Sequence, residues 1–217
     1  MTVSTGPSTG SAALQRDSVS LRRARVAVAA LFLTNGAIFA NLLPRYPEIK
    51  TDLGLSNAVY GAAIAAFSGG ALVAGLTAGV LIRRFRSARV AVVGTVALAA
   101  FVVAAGLATT PMVFAAALFL AGACDSVVDV AQNAHGLRVQ REYGRSIINS
   151  LHAVWAVGAI LGGLTGAAAI ALGIPRTTHL AAIEDNHRNS PLTAARPPAA
   201  RTPAPPDATL ARTGSRN

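Results

Sequence analysis

Five apolar runs, each long enough to cross a bilayer, constrain this chain before anything else does. They cover about residues 26–43, 58–82, 90–107, 112–134 and 146–172, and a helix needs ~20 residues to cross the hydrocarbon core. Charged residues make up only 13% of the chain and hydrophobic residues 53%, whereas a soluble domain carries about 25% charge. The expected fold class is an all-α polytopic membrane protein with five transmembrane helices.

A formal net charge of +10 could suggest nucleic acid, but its placement argues against that partner. Aromatic residues are few, and the arginines stand in short clusters between the apolar runs instead of along a stripe with stacking residues. Lys50 is the only lysine. Charge in loops of this kind orients membrane spans. The segment before span one (Arg22, Arg23, Arg25), the second loop (Arg83, Arg84, Arg86, Arg89) and the fourth (Arg138, Arg141, Arg145) are net positive. The first loop is balanced, with Arg45 and Lys50 against Glu48 and Asp52, and Ala108–Pro111 is uncharged. The positive-inside rule therefore predicts a cytoplasmic N-terminus and a multi-pass protein of the cell (inner or plasma) membrane, its surround the lipid bilayer. A cleaved signal peptide is the plainer reading of the first run. A cut after Ala40 would put Ile38 where a small residue is wanted, and four more runs follow, so an uncleaved span is expected.

Residues 1–21, rich in Ser, Thr, Gly and Ala, read as a disordered cytoplasmic tail. Pro44 and Pro47 end the first helix, and Ser56 or Asn57 can cap the second. Small residues recur every four positions at Gly61, Ala65 and Gly69, at Gly75 and Gly79, and at Gly158, Gly162 and Gly166. Such ridges let helix backbones approach closely. Residues 176–217 change texture and fill with Pro, Arg, Ala and Thr, which cannot bury enough apolar surface to order themselves. A shifted reading frame or truncation after Pro175 and a genuine unordered tail are both open, and the downstream gene sequence in the other frames separates them.

Polar residues inside the runs are the candidate working groups. In Gly122-Ala-Cys-Asp125-Ser-Val-Val-Asp129-Val-Ala-Gln-Asn133, the carboxylates and the asparagine recur at intervals of four, on one helical face. An ionisable side chain in hydrocarbon costs a few kcal/mol and is expected to face protein or a watery cavity. Asn35 lies mid-way along the first run. Asp129 is expected about 10 Å above the cytoplasmic end of span four, and His152 at nearly the same height on span five. Asn149 shares a face with His152. These residues are candidates to bind a polar solute or protons together, and Asp125 and Asp129 to exchange protons. The plainer readings are a structural carboxylate paired to Asn35, His152 or a loop arginine, and a packing role for His152 and Trp155. No Cys/His zinc spacing, nucleophile–base pair or phosphate loop occurs, so neither metal nor cofactor is expected, and Cys124 reads as an apolar filler.

With these residues in view, about residues 22–175 resemble the N-terminal part of a major facilitator superfamily transporter. The likeness rests on the arginines before span one, on Leu53-Gly-Leu-Ser56 before a Gly- and Ala-rich second span, and on the second loop. The family's loop signature is Gly-x-Leu-Ala-Asp-Arg-x-Gly-Arg-Arg. Here Gly79, Leu81 and Arg84 are kept, Arg83 stands at the aspartate and Arg86 at the second glycine, so the aspartate's role does not carry over. Asn149-Ser-Leu-His152-Ala-Val-Trp155 looks closest to the sugar-permease-like branches.

The resemblance implies a non-enzymatic secondary transporter of a small polar solute, proton-coupled, with this chain an incomplete N-terminal half whose sixth helix is absent. It also implies that spans one and four line the cavity and that the ridged spans two and five meet the other half. That partner would be a missing C-terminal half or a second copy, since alternating access rocks one bundle against another. An inert truncated fragment is the alternative. A metal-dependent membrane phosphatidyltransferase shares the Gly122-x-x-Asp125-x-x-x-Asp129 spacing, but its upstream Asp-Gly-x-x-Ala-Arg segment does not occur here.

Overall fold

A computed structural model describes the backbone of residues 9–188 and side chains from residue 19 to residue 182. Every regular element among them is helical: α1 (Thr9–Asn41), a 3-10 turn (Leu43–Arg45), α2 (Tyr46–Asp52), α3 (Asn57–Phe85), α4 (Ser87–Gly106), α5 (Pro111–Tyr143), α6 (Ile148–Ala171) and α7 (Arg176–Arg188). Five of these stretches are long and apolar enough to cross a membrane, and they are carried by α1, α3, α4, α5 and α6.

Local chemistry sets the helix ends. Ser56 accepts the amide of Val59 at the start of α3, and Thr110 that of Val113 at the start of α5, each meeting a donor that the first helical turn leaves over. Pro111 sits in the first turn of α5, where its missing amide costs nothing. Pro44 and Pro47 also occupy first-turn positions, of the 3-10 turn and of α2. The segment expected as a plain loop is therefore a turn and a short helix, closed by Gly54 at φ +60. Helix α5 runs nine residues beyond the expected end at 134, to Tyr143, and stops at left-handed Gly144.

Helices α3 and α4 meet at a single residue, Arg86, whose φ is +67. The arginine-rich second loop is thus almost wholly helix ends.

Two pairs of spans touch backbone to backbone. On α1 and α6, Gly158, Gly162 and Gly166 lie against the carbonyls of Leu33, Ala37 and Asn41, and Gly36 lies against that of Trp155. On α3 and α5, Gly70 lies against Phe119 and Gly122 against Phe67 in the same reciprocal way. The α6 ridge is therefore turned inward onto α1. Gly75 faces the Ser126 hydroxyl, and Gly79 meets only the side chain of Arg83 on its own helix. Helix α4 packs on α5, with Leu31, Val90, Ala91 and Ala131 forming one apolar cluster. A larger cluster, including Ile38, Leu42, Leu98, Phe114, Leu118 and Leu180, fills the end of the bundle nearest α2 and α7.

The chain after Pro175 differs from the unordered tail expected there. Helix α7 packs on α4, its Leu180 is fully buried beside Leu42 and Gly106, and Arg176 pairs with Asp52 at 2.8 Å and Glu48 at 3.5 Å. Arg45, 4% exposed, binds Glu48 at 2.8 Å and the Ile174 carbonyl at 2.7 Å. The ion pairs and one apolar side chain seat this helix, and composition averaged over a Pro- and Arg-rich window conceals both. At the other end, α1 already begins at Thr9, inside the segment expected to be disordered. The expectations for residues 1–8 and 189–217 lie outside the described residues.

Candidate solute site between spans one, four and five

Asn35 is the centre of the polar residues inside the bundle. It is 3% exposed, so each of its polar atoms needs a partner. Its Nδ2 donates to Asp125 Oδ1 on α5 at 2.9 Å, and its Oδ1 accepts the indole Nε1–H of Trp155 on α6 at 2.7 Å. One carboxamide therefore joins spans one, four and five at mid-length. Nearer the start of α1, buried Gln132 on α5 donates to the Leu31 carbonyl of α1 at 3.1 Å. That carbonyl belongs to a helix, and the extra bond satisfies a glutamine that hydrocarbon would otherwise strand.

The other sequence-predicted residues divide differently from their spacing. Asp129 is exposed, and its carboxylate and carbonyl both accept from Asn133 Nδ2, at 3.0 and 2.9 Å, within α5. The side chains of α5 that reach α1 here are thus Asp125 and Gln132, while Val128 lies against Gly94 of α4 and Asp129 accepts from Asn133 within its own helix. Nor do Asp129 and His152 meet: among the described residues no hydrogen bond or ion pair joins them. The His152 ring contacts the Ile148 carbonyl at 3.0 Å and sets its face edge-on to Phe32, centroids 5.4 Å apart. Asn149 is exposed at the first turn of α6.

A cavity of about 510 Å³ lies on another flank of α1, lined by Thr34, Ile38, Asn41, Thr165 and His179 among others. Neither Asn35 nor Asp125 lines it. Asn41 spans its wall to donate to the Thr165 hydroxyl at 2.8 Å.

Sequence reasoning left Trp155 as packing and passed over Gln132 and Gln140. The Gln140 Oε1 accepts the backbone amides of Ile147 and Ile148, at 2.8 and 3.1 Å, so the end of α5 caps the start of α6. Trp155 carried one usable signal, an indole donor inside an apolar run, which must find an acceptor when buried. Near the start of α1's apolar run, Arg25 lies over the Tyr143 ring at 5.3 Å and donates to its hydroxyl at 3.3 Å, tying span one to the end of α5.

Residues 28–183 match the sequence pattern of the Major Facilitator Superfamily. An uncharacterized transporter of Sinorhizobium fredii, y4wD, is 34% identical over 152 residues, which are 70% of this chain and 40% of the relative. An uncharacterized MFS-type transporter of Yersinia pestis is 28% identical over 153 residues, again 70% of this chain and 40% of the relative. The chain spans 40% of the length of these curated relatives. No solved structure matches it. The matched segment holds all five candidate spans but for the first turns of α1, and both sides of the Asn35–Asp125 contact. It reaches past Pro175 into α7. The chain belongs to the major facilitator superfamily.

Proposed function

We propose that this chain forms one helical bundle of a secondary transporter in the cell membrane, N-terminus cytoplasmic, and that Asn35 and Asp125 form its solute or proton site. The observation that carries this reading is the 2.9 Å hydrogen bond between them, an amide and a carboxyl facing each other between two bilayer-length helices. A carboxyl is retained in such a place at a cost of a few kcal/mol, which a structural role met by apolar packing would not require. A carboxyl that exchanges protons and an amide that both donates and accepts suit a neutral, hydroxyl-bearing solute of the sugar class taken up with protons.

Rocking transport needs a second bundle. Helices α3 and α6 present apolar side chains outward, with Leu72 73%, Leu76 84%, Ile160 62% and Leu164 61% exposed. These faces favour a partner bundle. The inert-fragment reading is the competitor, and measurement separates the two. Vesicles containing the chain, alone and together with a complementary bundle, are assayed for proton-driven uptake of labelled sugars and polyols. Uptake that Asp125→Asn abolishes and Asp129→Asn spares is expected. Uptake unchanged by Asp125→Asn would sink the site, and no uptake with any partner bundle would favour the fragment.

A further inference from the structure

The Asn35 carboxamide stands between two partners of opposite demand. Trp155 Nε1–H can only donate, and it fills Asn35 Oδ1 at 2.7 Å, while Asp125 Oδ1 receives Asn35 Nδ2 at 2.9 Å. Turned over, the amide would set its NH2 group against the indole donor and its carbonyl against the carboxyl oxygen. An indole has no acceptor with which to accommodate that arrangement. The frame around the amide is equally fixed, because Gly158 lies on the Leu33 carbonyl and Gly36 on that of Trp155. Helices α1 and α6 therefore meet backbone to backbone on both sides of the hydrogen bond.

We propose that Trp155 is a positioning residue for Asp125: it locks the Asn35 amide so that only the NH2 group faces the carboxyl, and so links events at Asp125 to the α1–α6 contact. The proposal rests on the reading of Asp125 as a working carboxyl. When Asp125 takes a proton from water, the carboxyl gains an O–H that seeks an acceptor, while its carbonyl oxygen can go on accepting from Asn35 Nδ2. The amide oxygen beside it already accepts from Trp155, so an O–H that turns there shares its acceptor with the indole. Few other charges face this point. On α5 the nearest titratable groups are Cys124 and Asp129, the latter bonded to Asn133. On α6 there is His152, turned to Phe32 and the Ile148 carbonyl. The titratable side chains of α3 (Tyr60, Arg83, Arg84) and α4 (Arg89) lie at helix ends, and Arg25 of α1 is engaged with Tyr143.

Trp155 is the only tryptophan in the chain, so tryptophan emission comes from this one indole. The full chain in phospholipid vesicles is titrated with acid, and tryptophan emission is recorded for wild type, Asp125→Asn, Asp129→Asn and Asn35→Leu. One transition is expected in wild type and Asp129→Asn, and none in Asp125→Asn or Asn35→Leu. The infrared carbonyl band of protonated Asp125, assigned by its loss in Asp125→Asn, is followed in Trp155→Phe. Its midpoint is expected to move by about threefold or more in proton concentration, with helical circular dichroism retained. A flat wild-type emission, a transition surviving in Asp125→Asn, or a band midpoint unmoved by Trp155→Phe each overturns the proposal. Should Trp155→Phe not assemble, the emission series decides alone. A normal emission transition without solute uptake refutes the transport reading and leaves the positioning role standing. Uptake without an emission response does the reverse.

Discussion

Arg86 shows how a single backbone angle makes a departure from a family pattern costly. It occupies the second glycine of the family's loop signature, and its φ of +67 with ψ 135 is a conformation that side chains disfavour. A glycine would take it freely. Held there by helices on both sides, an arginine stores strain of order 1–3 kcal/mol. Arg86→Gly is therefore expected to raise thermal stability by about 1 kcal/mol, measured as the retention of helical signal on heating in detergent. An unchanged or lowered midpoint would mean that the arginine's lost contacts outweigh the strain. Gln140 gives a second test at this scale. Removing an acceptor that serves two first-turn amides is comparable to deleting an N-cap, so Gln140→Ala should lower stability by about 1 kcal/mol. Gln140→Glu, which keeps the acceptor, should lower it less.

Residue by residue, the spans and their caps were legible because length and apolar content act locally. Ser56 and the bilayer-length runs needed no knowledge of neighbours. Partners were less legible. An interval of four put Asp125, Asp129 and Asn133 on one face, yet the side chains that meet α1 are Asp125 and, seven residues on, Gln132. Periodicity defines which residues share a stripe and leaves open which neighbour the stripe will meet. The pairing of Arg176 with Asp52, 124 positions apart, was hidden for the same reason.

Among the elements, the glycine contacts make the sharpest contrast. A methyl group at Gly158 or Gly70 would run into the backbone carbonyl of the facing helix, whereas Gly163 and Gly61 have open space around them. Gly158→Ala should force α1 from α6 and cost about 1–3 kcal/mol. Gly163→Ala, about 7.5 Å further along the helix by its rise, should be neutral or slightly stabilising through better helix propensity. Equal losses in thermal melts of the two variants would show that the ridge does not hold the pair together. Helix α7 supplies a pH test. His179 is buried with neither ring nitrogen partnered, and burial first, then the nearby Arg45 guanidinium, holds its pKa below the ordinary imidazole value. A base with a depressed folded pKa binds more protons when unfolded, so its contribution is full above the unfolded value of about 6.5 and fades as pH falls below that value toward the folded one. Acidifying from about pH 7 to about pH 5 should loosen α7, read as faster proteolysis after Arg188, and His179→Leu should flatten that dependence.

At the scale of the molecule, arginine placement and apolar length together predict a definite orientation. In a Cys124→Ala background, a membrane-impermeant maleimide added to intact cells should label Thr109→Cys, between α4 and α5, and spare Ser146→Cys, between α5 and α6. The opposite pattern would invert the topology and with it the side from which Asp125 is reached.

The reciprocal glycine contacts carry a mechanical consequence. Where carbonyl meets glycine on both partners, the touching backbones leave little room to shift, so α1 with α6 and α3 with α5 each behave as one stiff plank. Between the planks, polar ties run from Arg25 to Tyr143, from Gln132 to the Leu31 carbonyl, from Asn35 to Asp125 and from Gln140 to the amides that open α6. Strain applied to this bundle must therefore be released along that seam, and the candidate site is built into it.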